Sequence, residues 1–343
     1  MPDYILAFLI ALIVAYVLTP GIISLAKKAG AFDAPDERKV HTTPIPRLGG
    51  IGIYFAFMVA VFFTIDITKE IAGLLVGGTI IAIVGIIDDL KNLPAKVKLL
   101  GQIFAAAVLI CFDVRIDFIS DPFGDMIYLD YLAIPVTLFW VVGLTNTVNL
   151  IDGLDGLAAG VSTIASITIL LVALQQHYIL IAVLTAALAG GAFGFLHYNF
   201  NPAKIFMGDT GSMFLGYMLA GISILGAVKS AATIALIVPI FALGLPILDT
   251  TFAIVRRYMG GVPIFKPDRG HLHHRLLDLG FTQKQAVLLM YVISAVLGLS
   301  AIALSEVSGK IAFMIILAVM CAVLFGAKKL GIFKTKKTIE TNH

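Results

Sequence analysis

Charge is scarce in this chain. Asp, Glu, Lys and Arg supply 13% of its 343 residues, against 59% apolar, whereas a soluble domain carries roughly 25% charged residues. With a mean hydropathy of +1.01, this excludes an ordinary water-soluble globule and points to a membrane protein. Cysteine is nearly absent. Cys111 and Cys321 each lie in an apolar run at no metal-ligand or disulfide spacing, so neither a disulfide framework nor a cysteine-bound metal is expected. The N-terminus lacks the basic flank of a signal peptide, and its apolar stretch is too long for one. It reads as a first transmembrane helix that stays in place.

What is present is a series of long apolar runs. A membrane span needs about 20 apolar residues. Eleven stretches qualify: 4–26, 48–65, 69–87, 98–113, 132–149, 154–175, 178–197, 211–228, 231–255, 285–305 and 310–327. All must be helical, because lipid offers no partner for free backbone groups. The fold class is therefore all-α and polytopic, a single integral membrane unit over 1–343. The net charge of +3 says little, since placement of Lys and Arg matters more than their sum. Twenty of the 24 fall on one side of the proposed spans, leaving Lys69, Arg115, Lys229 and Lys310 on the other. By the positive-inside rule the first side is cytoplasmic, with the N-terminus outside and the C-terminus inside. The outer loop 113–131 carries short apolar–polar runs around a turn cluster at 121–125, which predicts a short periplasmic β-hairpin. The stretch 328–343 reads as a basic, loosely ordered cytoplasmic tail near anionic lipid.

The acids share the basic side. Asp88 and Asp89 close the third span. Asn146, Asn149, Asp152 and Asp155 lie between the fifth and sixth, and Asp209 just before the eighth. His271, His273, His274 and Arg275 lie in the loop 256–284. Ionisable groups at membrane depth are costly and functional by default. Each cluster also has a plainer reading. Asp88-Asp89, unfavourably placed at the negative end of a helix dipole, is compatible with a solvated helix end or needs a cation, either a divalent metal or Lys91, Lys96 or Lys98. Asn149, Asp152 and Asp155, spaced by three, would neighbour one another on a helical turn or form an ordinary Asn/Asp/Gly turn. Asp209 followed by Thr-Gly-Ser reads as a helix N-cap or as a carboxylate for a hard cation. The histidines suit zinc by residue type, but the acids favour Mg²⁺ and the basic groups then hold phosphate. Taken together, the clusters predict phosphoryl transfer from a water-borne donor to an acceptor dissolved in the bilayer.

The motifs RKVHTTPIPRLGG (38–50), DDLKNLPAKVKLLGQ (88–102), NTVNLIDGLDGLA (146–158), PAKIFMGDTGS (202–212) and HLHHR (271–275) stand in the order found in the polyprenyl-phosphate N-acetylhexosamine-1-phosphate transferases. The chain resembles that family, whose superfamily also holds the phospho-MurNAc-pentapeptide transferases. The resemblance covers nearly the whole length. It implies transfer of GlcNAc-1-phosphate from UDP-GlcNAc to a polyprenyl phosphate, with UMP released. It further implies Asp209 and Asn149 as the Mg²⁺ site (Mn²⁺ substituting), and Asp88, Asp89, Asp152 and His271 in catalysis. Lys98 would meet the donor pyrophosphate and Asp155 the uracil. Lys39, His41, Asn146, His273, His274 and Arg275 complete the expected substrate contacts. Asp88 or Asp89 would deprotonate the lipid phosphate for direct attack, with a two-step route through an aspartyl-phosphate as the alternative. The HLHHR loop resembles the N-acetylhexosamine branch, which favours UDP-GlcNAc over UDP-GalNAc, deoxy-HexNAc or UDP-MurNAc-pentapeptide donors. A homodimer is among the expectations, a nucleic-acid partner is not. A transporter is the rival from another class, but no internal repeat is visible and the acids sit at one side instead of midplane.

Overall fold

The computed structural model describes residues 1–33, 43–120, 126–229, 237–261, 270–307 and 309–329. In chain order it runs α1 (Asp3–Lys28), β1 (Phe32–Asp33), β2 (Ile45–Pro46), α2 (Gly50–Thr64), α3 (Lys69–Lys91) and α4 (Ala95–Cys111). There follow β3 (Phe118–Ser120), β4 (Met126–Tyr128), α5 (Ala133–Ile151), α6 (Leu157–Gln175), α7 (Ile179–Asn199) and α8 (Gly208–Lys229). The last elements are α9 (Ile237–Ala242), α10 (Gly244–Met259), α11 (Leu272–Asp278), α12 (Gln283–Glu306) and α13 (Lys310–Lys329). Eight of these helices are long and apolar enough to cross a membrane, as expected of a multi-pass protein.

Ten of the eleven expected stretches each coincide with one helix, although α2 and α4 are short, at 15 and 17 residues. The ninth, 231–255, does not. Within the described residues it divides at Leu243 into α9 and α10. The cause is Pro246, which has no N–H for the Ala242 carbonyl and whose ring crowds it. The hairpin is present, with Phe118 opposite Tyr128, Ile119 opposite Ile127 and Ser120 opposite Met126. Residues 121–125 lie outside the described residues, as do Lys39, His41 and the tail beyond Lys329.

Helix α8 is the axis of the bundle, enclosed along almost its whole length and flanked by α3 and α5. Small residues bring these helices together, since van der Waals contact, not hydrophobic expulsion, drives packing in lipid. A Cβ on Gly85 of α3 would lie 2.4 Å from the Thr210 Cα of α8. Opposite extremes are α1 and α13, largely exposed. At one end of the bundle β1 and β2 pair, and the chain after β2 runs beside the approach to α8. Phe206 N–H donates to the Pro46 carbonyl, and Gly49 and Gly50 N–H donate to the carbonyls of Phe206 and Met207. The same end receives the last turns of α3 and α5 and the first turns of α4 and α8.

Candidate active site

The third span ends in a junction with α8. The Asp89 carboxylate accepts the backbone N–H groups of Asp209 (2.9 Å) and Thr210 (3.1 Å) and the Thr210 hydroxyl (2.6 Å). The first N–H groups of a helix have no partner of their own, and a carboxylate suits the positive end of the helix dipole. Asp89 therefore caps α8 from another helix. Gly208 makes room for it: a Cβ there would lie 2.4 Å from the carboxylate oxygens, and its φ is +67°. The cap expected of Asp209 is thus supplied by Asp89.

Asp209 faces the other way. Its Oδ2 accepts Lys98 Nζ at 2.7 Å and its Oδ1 accepts Asn149 Nδ2 at 3.1 Å. The same Lys98 reaches Asp88 Oδ2 at 3.3 Å, while Asp88 Oδ1 accepts Leu93 N–H at 2.6 Å. Of the three nearby lysines, Lys98 is the one that reaches the acid pair, through Asp88, while Lys91 and Lys96 are exposed. One ammonium between two partly or wholly buried carboxylates leaves excess negative charge.

Residues 152–156 join α5 to α6 as a loop, so Asp152 and Asp155 are not on a helical turn with Asn149. They nevertheless converge with it on a cavity of about 320 Å³ that Asp33, Asp89 and Asp209 also line. Burial, and then the charges of Asp209, Asp89, Asp155 and Asp33, push the Asp152 carboxyl well above the usual range. Arg47 also lines the cavity, donating to Asn92 Oδ1 at 2.7 Å and lying 3.9 Å from Asp33 Oδ1. The loop is anchored on all sides. Asp155 Oδ2 accepts Asn201 Nδ2 and Ala203 N–H, both at 3.0 Å. Gly156 N–H donates to Asn199 Oδ1 at 3.1 Å, and the Tyr291 hydroxyl donates to the Gly156 carbonyl at 2.5 Å.

The histidines part company. His274 lines the cavity. His273 is buried, its Nε2 seated where a Gly153 Cβ would lie 2.5 Å away, and its Nδ1 has no hydrogen-bond partner. Burial, then the neighbouring His274, pushes its pKa down to about 3. His271 is buried against α10, with Nδ1 2.8 Å from Asp249 Oδ2. Arg275 Nε donates to the Gly270 carbonyl at 3.3 Å. Asn146 points into the α4–α5 seam, its Nδ2 donating to Gln102 Oε1 at 2.6 Å. Among the described residues no group of three or more His, Cys, Asp or Glu side chains is arranged to hold a metal.

Of the expected site residues, Asp89, Asn149, Asp152, Asp155, Asp209 and His274 line the cavity, with Lys98 and Asp88 bonded to that set. His271, His273, Asn146 and Arg275 are not among the residues that line it. Sequence reasoning missed Asp33 and Gln283 as cavity residues, because both look like ordinary loop residues; it also passed over Asp249, a carboxylate inside an apolar run that meets His271 outside the cavity.

The pattern recurs in known proteins. The family described as Glycosyl transferase family 4 matches residues 71–227, which include every expected acid but not the histidine loop. The probable undecaprenyl-phosphate N-acetylglucosaminyl 1-phosphate transferase of Bacillus subtilis (strain 168) is 41% identical over 334 residues, 97% of this chain and 93% of that protein. The decaprenyl-phosphate N-acetylglucosaminephosphotransferase of Mycobacterium tuberculosis (strain ATCC 25618 / H37Rv) is 38% identical, covering 82% of this chain and 78% of its own length. A phospho-N-acetylmuramoyl-pentapeptide-transferase of Lactobacillus johnsonii is 33% identical over 76% of this chain and 83% of its own.

Proposed function

The chain belongs to glycosyl transferase family 4, and from that membership we propose that it transfers N-acetylglucosamine-1-phosphate from UDP-GlcNAc to a polyprenyl phosphate, releasing UMP. The observation that carries the reading is the meeting of Lys98, Asn149 and Asp209, from three helices, at one acidic cavity. The GlcNAc donor follows the relatives, 41% and 38% identical for those named for N-acetylglucosamine against 33% for the muramoyl-pentapeptide enzyme.

The chemistry is an attack in line by a lipid phosphate oxygen on the donor phosphorus that bears the sugar. A new P–O bond forms as the bond to UMP breaks. Lys98 meets the donor diphosphate. Asp88 is the better base of the acid pair: its Oδ2 has only the Lys98 ammonium at 3.3 Å, a group that the donor diphosphate draws away, whereas Asp89 is fixed by three donors of α8. The donor set suits Mg²⁺, or Mn²⁺ in its place. Asp209 already holds a cation at 2.7 Å, and Asn149 brings its carbonyl oxygen toward it by a half-turn of its amide. Mg²⁺ commonly takes one or two carboxylates plus substrate phosphates instead of a full protein cage. When bound, it would neutralise charge on the diphosphate. Asp152 and Asp155 border the nucleotide, and His274 faces the sugar-phosphate side.

Counting α2, α4 and the α9–α10 pair with the eight long helices gives eleven crossings, with the N-terminus outside and the C-terminus in the cytoplasm. The polar end of the bundle, with its Lys and Arg excess, then faces the cytoplasm, where nucleotide sugars are available. The test is a donor panel with purified protein and undecaprenyl phosphate. Lipid-linked product should form from UDP-GlcNAc and fail to form from UDP-MurNAc-pentapeptide. Efficient transfer from the latter would overturn the assignment.

A further inference from the structure

Asp249 stands apart from the site described above. It lies on α10, on the face that also carries Ala253 and Arg256, all three buried. A carboxylate in such surroundings is costly unless its oxygens are satisfied. Both are. Oδ2 meets His271 Nδ1 at 2.8 Å, and Oδ1 accepts the Leu272 N–H at 2.7 Å. Further along the same face, Arg256 lies against the chain before His271: a Cβ on Gly270 would sit 2.3 Å from its guanidinium carbon. Helix α10 thus grips residues 270–272 at two points, and the carboxylate is spent on one ring nitrogen.

The partner of one ring nitrogen decides the state of the other. With Nδ1–H donating to Asp249, the free nitrogen of neutral His271 is Nε2, an acceptor. If the ring takes up a proton, Nε2–H becomes a donor for a phosphate oxygen and Asp249 balances the charge. The ring of His273 lies nearly parallel to that of His271, with centroids 5.8 Å apart.

We propose that Asp249 is a positioning residue for sugar-phosphate transfer, holding His271 in the Nδ1–H form so that Nε2 is its working nitrogen. The proposal rests on the reading that His271 takes part in the reaction. Asp249 touches neither donor nor acceptor; it acts through the histidine.

A purely structural anchor would serve equally well with a neutral amide, and that separates the two roles. Asp249→Asn keeps an acceptor for Leu272 N–H but turns a donor toward the ring, which favours the Nε2–H form. In protein labelled with ¹⁵N-histidine, His271 should show Nδ1–H in the unmodified chain and Nε2–H in Asp249→Asn. The variant should lose about 10–100-fold in kcat, the usual effect of losing such an orienting partner, with KM for UDP-GlcNAc within about 2-fold. Asp249→Asn/His271→Ala should be no worse than His271→Ala alone. Full kcat in Asp249→Asn beside an impaired His271→Ala, or losses that multiply in the double variant, would overturn this role and leave the histidine's part standing. Full activity in His271→Ala would overturn both. If Asp249→Asn does not accumulate, the unmodified protein decides: an Nε2–H signal for His271 contradicts the proposal.

Discussion

The two adjacent acids at the end of α3 are the same residue type one position apart, yet their surroundings give them different work. Asp89 has three donors from α8, whereas Asp88 shares Lys98 with Asp209. Removing the charge of Asp89 should therefore act on stability. Asp89→Asn turns an amide donor toward N–H groups, and lost hydrogen bonds to a buried charged group cost about 1.5–3 kcal/mol. Thermal unfolding in detergent should show a clear drop. Asp88→Asn keeps an oxygen for Leu93 N–H, so it should cost less stability than Asp89→Asn while lowering kcat by about 100-fold or more, the scale of general acid–base catalysis. Asp209→Asn should nearly abolish Mg²⁺-dependent turnover, because a lost metal ligand leaves position as well as charge uncorrected.

His273 gives a residue-scale pH prediction. Its folded pKa, about 3, lies below the unfolded value of about 6.5, so the unfolded chain binds the extra proton. Stability is intact above about pH 6.5 and falls as pH drops toward 3, by up to about 1.4 kcal/mol per pH unit from this group. Unfolding measured between pH 7 and 5 should show that slope, and His273→Phe should flatten it. Residue type and spacing made the acids legible, because ionisable groups are rare in so apolar a chain. They could not show which way Asn146 and His273 turn, nor that the partner of His271 lies 22 positions upstream on another element.

At the scale of elements, close approach does what hydrophobic burial does in water. A Cβ at Gly85 collides with the α8 backbone, whereas a Cβ at Gly143 of α5 meets nothing within 4 Å. Gly85→Ala should force α3 and α8 apart, costing about 1–3 kcal/mol as overpacking does, and should lower activity because Asp89 and Asp209 are joined across that seam. Gly143→Ala should be neutral or stabilising by up to about 1 kcal/mol, since alanine is the better helix former. Thermal unfolding of the two variants side by side makes the comparison. The long helices were legible because each is an unbroken apolar run of the length a bilayer demands. The division at Leu243 followed from Pro246, which could have been weighed as a helix breaker. Strands β1 and β2 are two residues long and have no alternation to detect; they are fixed by tertiary pairing near Phe206.

For the whole molecule, everything polar that the site uses gathers at one end of an apolar bundle. That end should face the cytoplasm. Single cysteines placed in 88–98, 146–156, 198–210 and 256–284, after replacement of the exposed Cys111 and Cys321, should resist an impermeant thiol reagent added to intact cells. Reaction at any of these loops would reverse the sidedness. The cavity at that end is lined by the carboxylates of Asp33, Asp89, Asp152, Asp155 and Asp209 together with Arg47 and His274.

The leaving group tests that account most directly. Purified protein in lipid nanodiscs, given UDP-GlcNAc labelled in both uridine and sugar together with undecaprenyl phosphate and Mg²⁺, should yield sugar-labelled lipid and UMP in equal amounts, and Asp209→Asn should yield neither. Attack at phosphorus predicts UMP. Release of UDP in step with the labelled lipid would mean attack at the sugar carbon and would contradict the mechanism built on Lys98, Asp88 and Asp209.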